Sequence, residues 1–208
     1  VTVAATGNNE RTLNRYGIEY DKVYLHPMSH ASYYPNAIPL NIKVIYDKEG
    51  KILGAQALGY DGVDKFIDVI ATSIKFGGRM EDLAELDLAY APPFLSAKSA
   101  ANMAGFMAEN ERKGLVKNIN IEELKNFDST KQILLDTRDK QEVELGAIEN
   151  SLNIPLNDLR SNLDKLDKDK EMLIEVAPGL GENIVSGKVS PEQILYDWYN
   201  QEIIDLLN

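Results

Sequence analysis

The run from Pro39 to Gly78, PLNIKVIYDKEGKILGAQALGYDGVDKFIDVIATSIKFGG, changes its apolar period partway, and this restricts what the chain can become. At Leu40, Ile42, Val44 and Tyr46 apolar residues fall on every second position, the repeat of a strand with one buried face. DKEG then supplies a turn in which Gly50 can take a positive φ, and KILGAQALG returns as the second strand of a hairpin. Beyond it Val63, Phe66, Ile67, Ile70 and Ile74 recur at helical spacing, with Asp61 as the expected cap and Gly77-Gly78 as the stop. A hairpin followed at once by a helix with one apolar stripe implies a helix laid on an antiparallel sheet, an α+β arrangement.

Around this nucleus GIEYDKVYLH reads as a strand, MEDLAEL as a short helix, and SAKSAANMAGFMAENERKG as a helix whose small residues permit close packing. Between those helices, DLAYAPPFLSAK sets Tyr90 beside a Pro92-Pro93 turn. Proline fixes φ and lacks a backbone donor, so the turn is stiff and gives Tyr90 and Phe94 set directions.

The second half alternates differently. QILLDTR reads as a buried strand, DKQEVELG as a short helix closed by Gly146, SLNIPL as a strand-like run and NDLRSNLDKL as helical. EMLIEV is a third buried strand leading into the loop APGLGEN. SPEQILYDWYNQEIIDLL reads as a terminal amphipathic helix with Ser190 as cap and Pro191 in its first position. Such alternation implies a small α/β domain with a parallel sheet. Charge divides in the same place. Through Gly114 there are 12 Lys+Arg against 14 Asp+Glu, and from Leu115 onward 10 against 19. The expected domains are therefore 1–114 and 115–208.

The 208 residues, 44% of them hydrophobic, suffice for one large domain or two small ones. The net charge of −11 argues against nucleic-acid and anionic-membrane partners. No apolar run is long enough to cross a bilayer. The start of the sequence lacks the basic-then-apolar order of a signal peptide, and a cytoplasmic location is the default expectation. There is no cysteine, hence no disulfide, no zinc-thiolate site and no thiol nucleophile within these residues.

Several residue groups could carry chemistry. His26 and His30 have the spacing of metal ligands on a helix, but Pro27 breaks that helix and no third ligand is evident. They read as hydrogen-bonding histidines near a strand end, and no metal is expected. Tyr33 and Tyr34 precede Pro35, which biases them to extended geometry. With Tyr90 they read as packing or interface aromatics, although a phenol can also donate to an oxyanion or a thiolate. APGLG, Ala177 to Gly181, could form an anion nest but lacks the lysine and spacing of a P-loop, so it reads as a plain turn. Asp136 and Arg138 read as an ion pair that holds their domain together.

Three stretches together, HPMSHASYYPNAIPLNIKVIYD, ILGAQALGYDGVDKFIDVIATSI and ELDLAYAPPFLSAKSAANMAGFMAEN, resemble the C-terminal dimerisation domain of FAD-dependent pyridine nucleotide-disulfide oxidoreductases. The branch they resemble holds coenzyme A-disulfide reductases, NADH oxidases and persulfide reductases. LLDTRDKQEVELGAIENSLNIPLNDL resembles a rhodanese-like domain, but Val176 falls where that family has its nucleophilic cysteine, and the segment beyond is short for a full domain. Valine carries no persulfide, so the second domain is expected to be inactive and possibly incomplete as a rhodanese.

The resemblance implies an FAD domain, an NAD(P)H domain and a redox cysteine upstream, with this chain a C-terminal piece that binds no cofactor alone. It implies a homodimer in which this domain completes the partner subunit's active site. Tyr33 and Tyr90 would be phenols on the substrate side, with Tyr34 as the alternate to Tyr33. Ala91, Pro92, Pro93 and Phe94 would lie near the partner's flavin. The substrate would be a low-molecular-weight disulfide or persulfide such as a coenzyme A species, or dioxygen would be the acceptor. The competing reading is a stand-alone, non-catalytic dimerisation and interaction module, and a sulfurtransferase is disfavoured by the missing thiol.

Overall fold

A computed structural model describes residues 1–119, 124–175 and 184–187. They belong to two compact units, one formed by Val1–Leu115 and a second beginning at Val116.

The first unit is a four-stranded antiparallel sheet with helices on it. Its strands are β1 (Thr2–Gly7), β2 (Asp21–Leu25), β3 (Asn41–Tyr46) and β4 (Ile52–Gly59), in the order β1-β4-β3-β2. The β3–β4 hairpin forms as its alternation predicts. Leu40, Ile42, Val44 and Tyr46 are all buried on one face, and Gly50 turns the chain at a φ of 89°. Helix α2 (Val63–Lys75) lays Val63, Phe66, Ile67 and Ile70 on that face, and Ile74 is half-buried beside them. Burying each such side chain contributes roughly 1.5–3 kcal/mol.

Two elements go beyond the sequence reading and one detail corrects it. Strand β1 and helix α1 (Glu10–Tyr16) were not anticipated. Asn9 caps α1 by accepting from the Thr12 amide, and Leu13 is its buried anchor. The cap of α2 is Gly62, at a φ of 76°, and not Asp61. That left-handed turn carries the Asp61 carboxylate away from the first-turn amides, to 3.8 Å from His30 Nδ1.

Helices α3 (Met80–Ala84) and α4 (Ala100–Arg112) complete the unit. They meet at Gly105, where a β-carbon would stand 2.4 Å from the Ala84 nitrogen, so only glycine permits this approach. Ser99 caps α4: its hydroxyl accepts from the Asn102 amide, and Asn102 Oδ1 accepts from the Ser99 amide. This is a capping box with asparagine in the third position.

The second unit contains β5 (Lys117–Ile119), β6 (Gln132–Asp136), α5 (Lys140–Leu145), β7 (Leu152–Asn153), α6 (Leu156–Leu159), β8 (Glu171–Glu175) and β9 (Ile184–Gly187). A 3-10 turn over Arg160–Lys165 extends α6. The sheet order is β5-β9-β8-β6-β7. The three strands expected from the alternation, β6, β7 and β8, are parallel. β9 joins β8 and β5 joins β9, both antiparallel, so the whole sheet is mixed. Leu135, Ile154, Leu159, Leu166, Met172 and Ile174 form a core on one face. Val176, the APGLG loop and the helix expected after Ser190 lie outside the described residues.

Candidate functional site

The loop Ser29–Ile38 leaves the sheet between β2 and β3. Its neck is closed by backbone bonds from Leu40 to the Pro27 carbonyl and from Ser29 to the Ile38 carbonyl, each 2.8 Å. Buried His30 braces the loop from within. Its Nε2 donates to the Pro35 carbonyl at 3.2 Å, which leaves Nδ1 to accept from the Ser29 hydroxyl at 3.1 Å. His26 pairs with Asn41 Oδ1 instead. The two histidines thus work as hydrogen-bonding groups. Among the described residues no three His, Asp or Glu side chains gather as a metal site would require.

The same loop presents the tyrosines. A turn closed by the Tyr34 amide on the Ala31 carbonyl carries them, so the segment is not extended through Tyr33. The following proline restricts only its immediate neighbour, Tyr34. Tyr34 packs its ring edge-on to His30, with centroids 6.0 Å apart. Tyr33 projects outward and is 73% exposed.

Tyr90 reaches the same place from a segment 57 residues later. Its hydroxyl lies 2.8 Å from that of Tyr33, and it is 48% exposed. The structure therefore brings Tyr33, rather than Tyr34, to Tyr90. The shared hydrogen bond with Tyr33, which Tyr90 makes as a neutral phenol, raises the Tyr90 hydroxyl above its ordinary value of 10, with a smaller contribution from desolvation. Tyr90 is therefore protonated at neutral pH. One hydroxyl donates to the other, so one O–H remains to donate outward.

Two anchors hold Tyr90 in position. Upstream, buried Asn102 donates from Nδ2 to the carbonyls of Leu83, Ala84 and Leu86, at 3.0, 3.3 and 2.9 Å. It thereby pairs the Ala84 and Leu86 carbonyls, which the end of α3 would leave without donors, and adds to the long bond that Leu83 takes from the Leu86 amide. Downstream, Lys65 of α2 donates to the Phe94 carbonyl at 3.0 Å. Between them the Pro92-Pro93 turn closes on itself, with the amides of Phe94 and Leu95 both on the Ala91 carbonyl. The Phe94 ring is 66% exposed. Neither anchor was named from the sequence. An asparagine three residues after a capping serine was the available signal for Asn102, and nothing local marked Lys65.

In the second unit the Asp136 carboxylate is fully buried at the end of β6. Arg138 grips it with two bonds, Nε to Oδ1 at 3.0 Å and Nη2 to Oδ2 at 2.8 Å, and the Arg138 amide adds a third. Arg138 also donates to the Gly146 carbonyl, and Asn153 donates to the carbonyls of Asp136 and Arg138. The pair ties β6, β7 and the end of α5 together, a structural arrangement that leaves little of either charge for a ligand.

Residues 1–102 match the family model of the pyridine nucleotide-disulphide oxidoreductase dimerisation domain, and residues 120–179 match that of the rhodanese-like domain. Coenzyme A disulfide reductases of Staphylococcus epidermidis and Staphylococcus aureus are 35% and 37% identical over 109 residues, 52% of this chain and 24% of theirs. Among solved structures, reduced CoADR-RHD of Bacillus anthracis is 41% identical with a TM-score of 0.81, over 94% of this chain and 34% of that one. A NAD-dependent persulfide reductase from A. fulgidus is 36% identical with a TM-score of 0.74, over 83% and 31%. The chain thus spans about a quarter of the curated relatives it matches. Its first 102 residues thus match a pyridine nucleotide-disulphide oxidoreductase dimerisation domain, and a rhodanese-like match without a cysteine follows it.

Proposed function

We propose that this chain is the C-terminal part of a longer FAD- and NAD(P)H-dependent disulfide reductase, in which residues 1–114 form the homodimer interface and complete the partner subunit's active site. The observation that carries the proposal is the exposed pair of hydroxyls, Tyr33 and Tyr90, 2.8 Å apart and brought together from two segments. A core tyrosine is buried with its hydroxyl spent inside the fold, as Tyr46 is on the Glu111 carboxylate. These two share one hydrogen bond and leave a donor facing outward.

In the reaction a cysteine thiolate supplied upstream by the partner subunit attacks one sulfur of a coenzyme A-type disulfide or persulfide. The sulfur–sulfur bond breaks, and its electron pair leaves on the other sulfur as a thiolate. The outward O–H of the tyrosine pair donates to that sulfur and steadies the growing charge. The Tyr33–Tyr90 bond keeps Tyr90 protonated, so the donor persists through neutral pH.

Bound FAD would pass reducing equivalents from NAD(P)H to the enzyme's cysteine. The first unit is not built to hold it alone. Its sheet is antiparallel throughout and lacks the parallel strand–helix–strand crossover on which dinucleotide sites rest. Ala91, Pro92, Pro93 and Phe94 would lie near the partner's flavin. Pro92 and Pro93 have no amide hydrogen, and the amides of Phe94 and Leu95 are already on Ala91, so this turn offers van der Waals contact and the Phe94 ring.

Residues 115–208 would be a rhodanese-like domain without sulfurtransferase activity, because Val176 stands in the cysteine position. A cytoplasmic location accords with such chemistry, and among the described residues no helix is long and apolar enough to cross a membrane.

Stopped-flow kinetics on the longer protein tests the proposal. Tyr33→Phe and Tyr90→Phe together should leave flavin reduction by NAD(P)H unchanged and slow reoxidation by coenzyme A disulfide about a hundredfold, the effect of losing one well-placed donor. Unchanged reoxidation would refute it.

A further inference from the structure

Behind the tyrosine-bearing segment, and separate from the tyrosine hydroxyls, lies a cavity of about 200 Å³ between α2, the start of α4 and the stretch from Leu88 to Ser96. Leu40 and Phe66, both buried, form its floor, and Val69, Leu88 and Leu95 its walls. Four polar side chains line it: buried Ser29 and Ser99, whose hydroxyls are already hydrogen-bonded, together with exposed Lys65 and half-buried Ser96. Lys65 gives one bond to the Phe94 carbonyl, and an ammonium has three to give. Among the described residues Lys65 has no carboxylate within ion-pair distance, and the Ser96 hydroxyl has no protein partner.

We propose that this cavity binds a medium-chain carboxylate, with its alkyl tail on the apolar floor and its head on Lys65 and Ser96. Volume sets the tail. A dry cavity of roughly 150 Å³ accepts benzene, so this one has room for a chain of roughly six to eight carbons. Charge sets the head. An ammonium with two free donors beside a free hydroxyl suits one carboxylate and repels a cation. Asp61, just before α2, and Asp64 and Asp68 within it flank Lys65 in sequence, so long-range attraction for an anion is weak and tail burial must supply most of the affinity. Leu88 and Leu95 bracket Tyr90 and the proline turn, so a seated tail packs against the wall that positions Tyr90. Binding itself does not depend on any role of the tyrosines.

The test is a titration of the full chain with butanoate, hexanoate and octanoate, and separately with octan-1-ol and octylammonium, followed by the methyl resonances of Leu88, Ala89 and Leu95. Octanoate should give saturable shifts, with affinity rising about fourfold per added methylene. Octylammonium should give none. Lys65→Met should weaken octanoate about tenfold and leave octanol unchanged, Lys65→Arg should restore octanoate, and Val69→Phe should fill the cavity and abolish both. Octanoate shifts that do not saturate, affinity independent of chain length, or equal binding of octanoate by Lys65→Met would each overturn the proposal.

Discussion

Replacing Asn102 by alanine should loosen the whole first unit, because one buried amide serves five bonds. Its two Nδ2 hydrogens are shared among the carbonyls of Leu83, Ala84 and Leu86. Its Oδ1 accepts from the amide and the hydroxyl of Ser99. Alanine strands the Ala84 and Leu86 carbonyls, at about 1 kcal/mol each in part-buried surroundings, and leaves Leu83 with the Leu86 amide at 3.4 Å. Losing the reciprocal cap adds about 0.5–1 kcal/mol. The expected total is about 2.5–3 kcal/mol, a large share of the roughly 5–15 kcal/mol typical of a domain. Aspartate separates the two contributions. Asn102→Asp keeps the acceptor for Ser99 but turns a carboxylate toward three carbonyls, and should cost at least as much as alanine. Native-state hydrogen exchange at Val44 and Ile45, fully buried in the middle of β3, reads the opening free energy of this unit. A loss below about 1 kcal/mol for Asn102→Ala, or an aspartate variant more stable than the alanine one, would refute the assignment.

Three further outcomes follow from the charged and phenolic groups. Burial alone would raise the Glu10 carboxyl, but hydrogen bonds from Lys22, Lys43 and Tyr20 outweigh it and bring it from 4.5 to about 2. Since the folded value is the lower, this stabilisation is whole above pH 4.5 and is lost as pH falls toward 2. After discounting for partial exposure it is worth about 1–2 kcal/mol, so melting curves of wild type and Glu10→Gln should converge over that window. A constant gap would contradict this. Arg138→Met removes both guanidinium bonds from the fully buried Asp136 carboxylate and should destabilise the second unit by about 3–5 kcal/mol. Adding Asp136→Asn should recover most of that, as read by exchange at Leu134 and Leu173. Tyr33→Phe should let the Tyr90 phenolate form at lower pH, seen as an earlier rise in phenolate absorbance, because the bond that raised it is gone.

The hairpin and α2 were legible because their apolar periods are unambiguous and each buries a single face. Strand β1 was not. It is an edge strand of small residues with most positions exposed, so it carries no alternation to read. Helix α1 is seven residues long with one buried leucine, and only Asn9 and Gly17 at its ends announced it. The Asp61 cap failed for a local reason, since the adjacent glycine took the left-handed turn and became the cap itself. In the second unit the parallel strands followed from strand–helix alternation, whereas β5 and β9 are short and pair antiparallel across a long separation. The tyrosine pair depends on two loops meeting, which no period or spacing encodes. From residue pattern Tyr33 and Tyr90 read as packing or interface aromatics, only the resemblance of their motifs to a family set them in one site, and their 2.8 Å approach is a property of the fold.

The central idea is that Tyr33 and Tyr90 act on the neighbouring subunit's chemistry. The most direct measurement mixes two inactivated forms of the longer protein, one lacking its redox cysteine and the other carrying Tyr33→Phe with Tyr90→Phe. If the tyrosines serve the partner, each mixed dimer rebuilds one intact site, and disulfide reductase activity should reappear well above that of either form alone. If mixed dimers form yet activity stays at the level of the separate variants, the tyrosines serve their own subunit or none, and the account is contradicted.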